Sequence, residues 1–470
     1  MNIDKLKAEI LKFAKKNNLT VQEAWDKYFF DIFLVKLSMS KHSDDFILKG
    51  GFLLENIIGI EHRTTLDLDF SYKTSDINID VLEEKINNII KVNVDGSIHF
   101  EVKDITPITE KNKYEGYRVR LNGIIGNIKK TFGIDIATGD TITPSPNLLK
   151  YRTGITNQTV LIKSYNIETI LAEKFQTVIE KQVLNTRMKD FYDIFVLINN
   201  NKLDKQLSHD ALVNTFEARN TSIKKFEIEK ALKRIKSSKL LEKMYNDYAF
   251  KTPFAKNTNY LNIIESFYKV KDLIRYQEEF VPKFKSLIII RHGEDDQNKT
   301  GGWSDNHLTE NGIRQVTKLR DSLKNNFKIT EESVIISSDL NRAKESTNIL
   351  FDFKGKIHFD LRLRECNNGD LANITKEVYE QKYPGLYFNN LKYDEKYPNG
   401  ESPKEYYERV NDLFFELNQH HENKDLIIIA HAGTYGILKS MINGVVWTNK
   451  LKYKIDYAEY IEVIEKHIVK

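Results

Sequence analysis

Apolar residues recur at helical spacing in the first sixteen positions, where Ile3, Leu6, Ile10 and Phe13 share one face of a charged segment. Beyond it, helical patterns mix with short apolar runs of strand length at residues 46–48, 66–70, 117–121, 132–136 and 159–162. That mixture predicts an α+β arrangement over roughly the first 200 residues. From 204 to about 279 the pattern is helical and rich in Lys and Glu, with no convincing strand. At 285–290 a continuous apolar run ends in Arg291-His292-Gly293, and strand and helix patterns then alternate. A second buried-strand run, 426–430, ends in His431-Ala432-Gly433. The alternation predicts a doubly wound α/β domain with a mostly parallel sheet. Pro282 interrupts a charged segment between 276 and 285, which places the boundary there and gives domains 1–280 and 285–470.

Composition changes this picture little. A chain of 470 residues is too long for one core. Its formal charge of +4 permits a basic groove without pointing to nucleic acid. The single cysteine, Cys366, excludes an intramolecular disulfide and fits a reducing cytoplasm. No apolar stretch approaches the ~20 residues of a membrane span, and no signal peptide is evident, so the expected location is cytoplasmic.

Phosphoryl transfer to water through a covalent intermediate needs a nucleophile, cations for three phosphate oxygens and a proton for the leaving group. In an open α/β sheet these groups gather beyond the C-terminal ends of strands. Here two apolar runs end in His, at His292 and His431, and Ser337-Ser338-Asp339-Leu340-Asn341-Arg342 adds a third loop with Arg342 opening a helix. With Arg291-His292-Gly293-Glu294, Asn298, Gly302-Trp303-Ser304-Asp305, Leu308-Thr309-Glu310-Asn311-Gly312, Arg362-Leu363-Arg364-Glu365 and Gly400-Glu401-Ser402, residues 285–470 resemble the histidine phosphatase (phosphoglycerate-mutase-like) superfamily. The resemblance implies that His292 is phosphorylated, that Arg291, Arg342 and His431 bind the phosphoryl oxygens, and that Glu365 protonates the leaving oxygen. Asn298 falls at a phosphate-loop position, and no metal or other cofactor is implied. Two departures stand out: Asp295 replaces a small hydroxyl residue beside an anion site, and 366–370 lacks the usual aromatic and glycine-rich pattern. Phosphatase is favoured over mutase, because no substrate-recapturing lid is recognisable.

Nucleotidyl transfer needs carboxylates that hold Mg²⁺ at a triphosphate, a close-approach glycine turn and a cation on the phosphates. Lys49-Gly50-Gly51 precedes an apolar helix, and Arg63-Thr64-Thr65-Leu66-Asp67-Leu68-Asp69-Phe70 follows. Strand alternation puts Asp67 and Asp69 on one face, and Asp135 on another strand is a candidate third carboxylate. With Ile170-Leu171-Ala172-Glu173-Lys174-Phe175, the run from Arg187 to Asp193, and Asn214-Thr215-Phe216-Glu217-Ala218-Arg219, residues 30–280 resemble the AbiEii family of nucleotidyltransferase toxins. The resemblance implies a nucleotidyltransferase fold with a helical extension. It assigns Gly50 and Gly51 to the phosphate turn, Asp67, Asp69 and Asp135 to the metal, with Asp135 also a candidate base, Lys174 to the triphosphate and Asp190 to a distal motif. Lys49, Arg63 and Thr65 join the nucleotide-binding set, and Asp193 and Arg187 are lesser candidates.

The combined expectation is a bifunctional enzyme: Mg²⁺-dependent transfer of a nucleoside monophosphate from an NTP, and phosphomonoester hydrolysis through a phosphohistidine. The resemblance implies an RNA acceptor such as a tRNA 3′ end, a toxin or phage-defence role, and an antitoxin partner. Lys129, Lys130, Lys150, Arg152 and the 224–243 region are candidates for an RNA channel. Two alternatives stay open. One domain is a catalytically inactive sensor of a phosphorylated ligand that gates the other, or the acceptor is a small molecule such as a sugar or lipid-head phosphate.

Overall fold

Alternation along two strands sets the centre of the first sheet. In β5 (Ile128–Ala137), Phe132, Ile134 and Ile136 are buried, which turns Asp135 to the opposite face. In β2 (Leu68–Tyr72), Leu68, Phe70 and Tyr72 are buried and Asp69 takes the other side. The computed structural model describes residues 3–59, 65, 67–74, 77–94, 98–108, 116–278, 280–326, 329, 332–351 and 357–464. They fall into two compact units, 1–222 with 226–274, and 223–225 with 275–470.

The first unit holds, among the described residues, a seven-stranded mixed sheet. Its other strands are β1 (Phe46–Lys49), β3 (His99–Ile108), β4 (Gly116–Ile125), β6 (Asn147–Arg152) and β7 (Thr159–Ser164). The order is β3-β4-β5-β2-β1-β7-β6, with β2/β5 and β1/β7 parallel and the remaining pairs antiparallel. The helix Val21–Met39 covers the apolar face, where Phe29 stacks on Phe132 with ring centroids 6.0 Å apart. Five of these strands follow the apolar runs of the sequence. The run expected at 66–70 forms a strand that starts at 68 and continues to 72, and Leu66 lies outside the described residues. Over 204–274, four α-helices, Lys205–Ala218, Lys225–Lys236, Lys239–Lys251 and Tyr260–Lys271, and no named strand follow among the described residues, as the pattern predicts.

The second unit holds, among the described residues, a five-stranded sheet in the order β10-β9-β11-β8-β12, from β8 (Ser286–Arg291), β9 (Val334–Ser337), β10 (Ile357–Phe359), β11 (Asp425–Ala430) and β12 (Tyr460–Ile464). The first four are parallel and β12 is antiparallel to β8. Ile288, Ile290, Ile427 and Ile429 pack on one face with Val316, and Leu287, Ile289, Leu426 and Ile428 on the other with Tyr406 and Phe414. Burial on both faces is why these strands read as unbroken apolar runs. Among the described residues no helix is long and apolar enough to cross a membrane.

Candidate active sites

In the first unit the chain turns sharply from β1 into the helix Gly50–Ile58. Gly50 has φ +66°, and a Cβ there would lie 2.0 Å from Asp69 Oδ2. Only glycine lets the carboxylate and the turn share this space. Lys49 caps the helix without a side-chain bond, and the Gly51 N–H donates to Asp69 Oδ2 at 3.4 Å. Asp69 and Asp135 are direct partners across β2 and β5. Burial, and then the neighbouring Asp67 and Asp135 carboxylates, push Asp69 above the usual carboxylate range, against the pull of Lys49. Hard oxygen donors whose crowded charge a cation relieves are a set suited to Mg²⁺, and Asp67 and Asp69 fit it. Asp135 is otherwise engaged. Arg118 on β4 holds it with two bonds of 2.7 and 2.6 Å. Among the described residues no three His, Cys, Asp or Glu side chains gather as a ready metal site.

Lys49, Gly51, Thr65, Lys174, Arg187 and Asp190 lie in the walls of the same cleft. Lys174, on the helix Ile167–Lys181, is 2.5 Å from Asp190 and 2.9 Å from the buried Asp193. Both carboxylates come from the helix Met188–Asn200. Lys49 pairs with Asp140, which also accepts from the Tyr165 hydroxyl at 2.9 Å. Thr65 is buried, while Arg187 is exposed at the cleft. Arg63 lies outside the described residues.

Several partners escaped the sequence reading. The buried Lys27 and Glu55 pair at 2.6 Å and bracket Thr65, Lys27 donating to its carbonyl at 3.2 Å and its N–H donating to Glu55 at 3.1 Å. This fixes the entry to Asp67. Arg219 pairs with Glu173 at 3.0 Å at the cleft floor. Arg219 and Glu173 sit in motif runs already noted, but Lys27, Glu55, Arg118 and Asp140 carry no local signal. Of the expected basic residues, Lys130 is bound to Asp26 at 2.6 Å and to the Gln22 carbonyl, whereas Lys150 and Arg152 are exposed on β6.

In the second unit, the parallel register of β8 and β11 sets Arg291 beside Ala430, so the residues that follow are neighbours. His292 and His431 have ring centroids 4.9 Å apart, and both are buried. His292 Nδ1 lies 2.7 Å from the Gly293 carbonyl oxygen. A carbonyl only accepts, so Nδ1 carries the proton and Nε2 the lone pair. Burial, then the Arg342 charge, hold His292 well below the ordinary histidine value, and the same causes act on His431. His431 Nε2 is 2.8 Å from Ser338 Oγ, while its buried Nδ1 has no hydrogen bond among the described residues.

Arg342 is buried and fixed by the Gly302 carbonyl at 2.8 Å and by Ser304 O and Oγ at 3.2 and 3.3 Å. Arg291 lies over the Tyr457 ring at 3.7 Å and donates to the Ile455 carbonyl. Glu365 accepts from the Tyr406 hydroxyl at 2.7 Å, from Cys366 N at 3.1 Å and from Gly433 N at 3.2 Å. A Cβ on Gly433 would fall 2.2 Å from Glu365 Oε1, so this glycine lets the acid approach His431's helix. Arg409, unmarked in the sequence, ties the loop together by donating to the carbonyls of Arg362, Arg364 and Glu365. Asn298 stands apart: it is exposed, and its backbone N–H bonds to Asp296 Oδ1 at 2.9 Å. Asp295 is buried 3.6 Å from Arg342 Nε, so the charge that the sequence sets beside an anion site has its own cation.

Comparison with known proteins gives each unit a family. Residues 32–269 match the family described as nucleotidyl transferase AbiEii toxin, type IV TA system. Residues 287–467 match the histidine phosphatase superfamily, branch 1. The "Uncharacterized phosphatase PhoE" of Bacillus subtilis (strain 168) is 27% identical over 166 residues, 34% of this chain and 78% of its own. The "Probable phosphoglycerate mutase GpmB" of Escherichia coli O1:K1 / APEC is 32% identical over 165 residues, 34% of this chain and 75% of its own. A solved mycobacterial glucosyl-3-phosphoglycerate phosphatase aligns over 38% of this chain and 92% of its own, with 24% identity and a TM-score of 0.32. The chain belongs to the AbiEii nucleotidyl transferase toxin family and carries, after that domain, a second one of the histidine phosphatase superfamily.

Proposed function

We propose that the first unit transfers a nucleoside monophosphate from an NTP to a hydroxyl of RNA, such as a tRNA 3′ end, in growth arrest or phage defence, opposed by a separate antitoxin. The observation that carries this reading is one cleft in which the Gly50 turn, Asp69 and Lys174 meet. The acceptor oxygen forms a bond to the α-phosphorus as the α–β bridging P–O bond breaks and pyrophosphate leaves. Lys174 holds the triphosphate, and Asp135 takes the hydroxyl proton once Arg118 releases it. Asp67 and Asp69 would hold Mg²⁺, which would supply positive charge against the triphosphate.

The second unit, in the same reading, hydrolyses a phosphomonoester. His292 Nε2 attacks phosphorus, the ester P–O bond breaks, and Glu365 gives its proton to the departing oxygen. Water then attacks the phosphohistidine, Glu365 takes back a proton, and phosphate leaves. Arg291, Arg342 and His431 carry the transferred oxygens.

The test is incubation of the full chain with each α-³²P-labelled NTP, Mg²⁺ and total bacterial RNA. Label should enter an RNA band with the wild type and not with Asp67→Ala/Asp69→Ala. Stronger labelling with His292→Ala marks a phosphatase that opposes transfer, and weaker labelling one that prepares the acceptor. No transfer to RNA from any NTP, in a preparation that still hydrolyses a phosphomonoester, overturns the RNA reading and directs the search to small-molecule acceptors.

A further inference from the structure

The cleft of the first unit has two lobes that share a wall of Gly50, Asp69, Lys174 and Asp190. One lobe, of about 670 Å³, runs along β5 and is lined by Asp135, Ile136 and Arg219. The other, of about 740 Å³, is lined by Gly51, Thr65 and Asp67, and its far wall is the helix Lys239–Lys251. Each volume suits a small ligand. The lobes differ in chemistry. Both lobes carry an aromatic residue, but Tyr165 in the first is buried with its hydroxyl on Asp140. Among the described residues only the second joins Asp67 to a ring, Tyr248, and a thioether, Met244. Only the first contains Asp135.

A nucleotide needs a polyphosphate seat joined to a flat apolar seat for its base. An acceptor needs to bring its hydroxyl to the group that takes its proton. We infer that the NTP occupies the second lobe, with its base laid against Tyr248 and Met244, and that the acceptor end enters through the first. This rests on reading the unit as a nucleotidyltransferase.

The helix Lys239–Lys251 is built for such a wall. Leu241, Tyr245 and Ala249 are buried and anchor it. Met244, Tyr248 and Lys251 follow at i, i+4 and i+7 on an adjacent stripe that faces the cleft. Every base has a π-face, so a tyrosine ring beside a polarisable sulfur accepts any of them. Discrimination falls to Asp247 in the same wall, because a carboxylate only accepts and so bonds only base edges that present N–H. Lys189, 3.4 Å from the Thr65 hydroxyl, stands on the polyphosphate side.

The experiment measures binding of non-hydrolysable analogues of the four NTPs to the full chain with Mg²⁺, and competition by inorganic tripolyphosphate. Tyr248→Ala should weaken the analogues by about ten- to a hundredfold, the loss of one stacked base. Tyr248→Phe should stay within about threefold of wild type, since the ring remains. Tripolyphosphate should compete equally well with all three proteins, because it has no base. Asp247→Asn should change the order of preference among the four analogues. Unchanged analogue affinity in Tyr248→Ala, with a raised KM for acceptor RNA, overturns the inference and gives this lobe to the acceptor. Equal weakening of analogue and tripolyphosphate overturns it too, as general damage to the cleft. A wild-type chain that binds no analogue at all removes the nucleotidyltransferase reading itself.

Discussion

Asp69 and Asp135 are direct partners in the parallel register of β2 and β5, and Arg118 is the direct antiparallel partner of Asp135 on β4. Backbone register alone thus lines up two carboxylates and a guanidinium on one face. The Arg118–Asp135 pair is bidentate, yet Arg118 is 55% exposed. Exposed pairs contribute about 0–1 kcal/mol, so this one holds Asp135 away from a cation only weakly.

Arg118→Ala is therefore expected to tighten Mn²⁺ binding, followed by electron paramagnetic resonance, by about two- to fivefold, the most that such a pair can withhold. The melting temperature should barely move. Unchanged Mn²⁺ affinity would mean that Asp135 takes no part in holding the cation.

Gly50→Ala tests the turn. The new Cβ would press on the Asp69 carboxylate at 2.0 Å, and φ +66° is a conformation that L side chains rarely adopt. We expect a loss of about 1 kcal/mol or more of stability and near-complete loss of nucleotide transfer, read by label incorporation. Transfer within a factor of about two of wild type would show that the turn can move away without affecting the reacting geometry.

How much of this was legible in the sequence follows from what kind of signal each residue leaves. Gly50, His292 and His431 follow apolar runs, and Asp69 alternates with Leu68 and Phe70 inside one, so punctuation and period mark them. β3 left no such mark: His99, Glu101, Lys103 and Asp104 crowd it with charge, and its register shifts between Val102 and Asp104. β6 is an edge strand whose exposed Leu148 and Lys150 blur the alternation. Arg118, Arg409 and the Lys27–Glu55 pair are chosen by tertiary neighbours far along the chain, and no local pattern encodes that. Lys130 shows the converse error: it reads as a free surface cation and is spent on Asp26.

Asp31 supplies a pH test of the first unit. It is buried, bonded to the Tyr151 hydroxyl and to Gly154 N at 2.8 Å, and burial pushes it up to about 6. An acid whose folded value is raised stabilises fully below its unfolded value near 4 and loses that contribution as pH rises through about 6. The loss amounts to about 3 kcal/mol. Asp31→Asn should flatten the fall in melting temperature between pH 4.5 and 7.5, as measured at about half-unit steps. An equally steep fall in the variant would place the titration elsewhere.

His292 should behave as a neutral nucleophile well into acid. Because burial and Arg342 hold it below the ordinary histidine value, the acid limb of kcat/KM for a phosphomonoester should lie well below pH ~6.5. The same depression means that the unfolded chain takes up the proton first, so the second unit should lose stability as pH falls below ~6.5. His292→Asn should abolish hydrolysis and reduce that loss. An acid limb near the ordinary histidine value would show a solvated ring instead of the buried one.

Asp295 decides how strongly the phosphatase site holds an anion. It lies 3.6 Å from Arg342 Nε and accepts from Gln297 Nε2 at 3.0 Å. Two effects oppose each other: its charge offsets that of Arg342, and its position steadies the guanidinium. The second is redundant, because Gly302 and Ser304 already fix Arg342 through three bonds. The charge effect should therefore win. Both Asp295→Ser and Asp295→Asn should tighten inhibition by vanadate, by about three- to thirtyfold for a buried charge at this range. Tightening in the Ser variant alone would point to space and not charge, and weakening in both would mean that Arg342 depends on Asp295 after all. The wild type also separates enzyme from sensor. Hydrolysis that rises in the variants until phosphate release limits it belongs to an enzyme tempered by Asp295, whereas saturable phosphate binding without turnover in all three proteins belongs to a module that only reads a phosphorylated ligand.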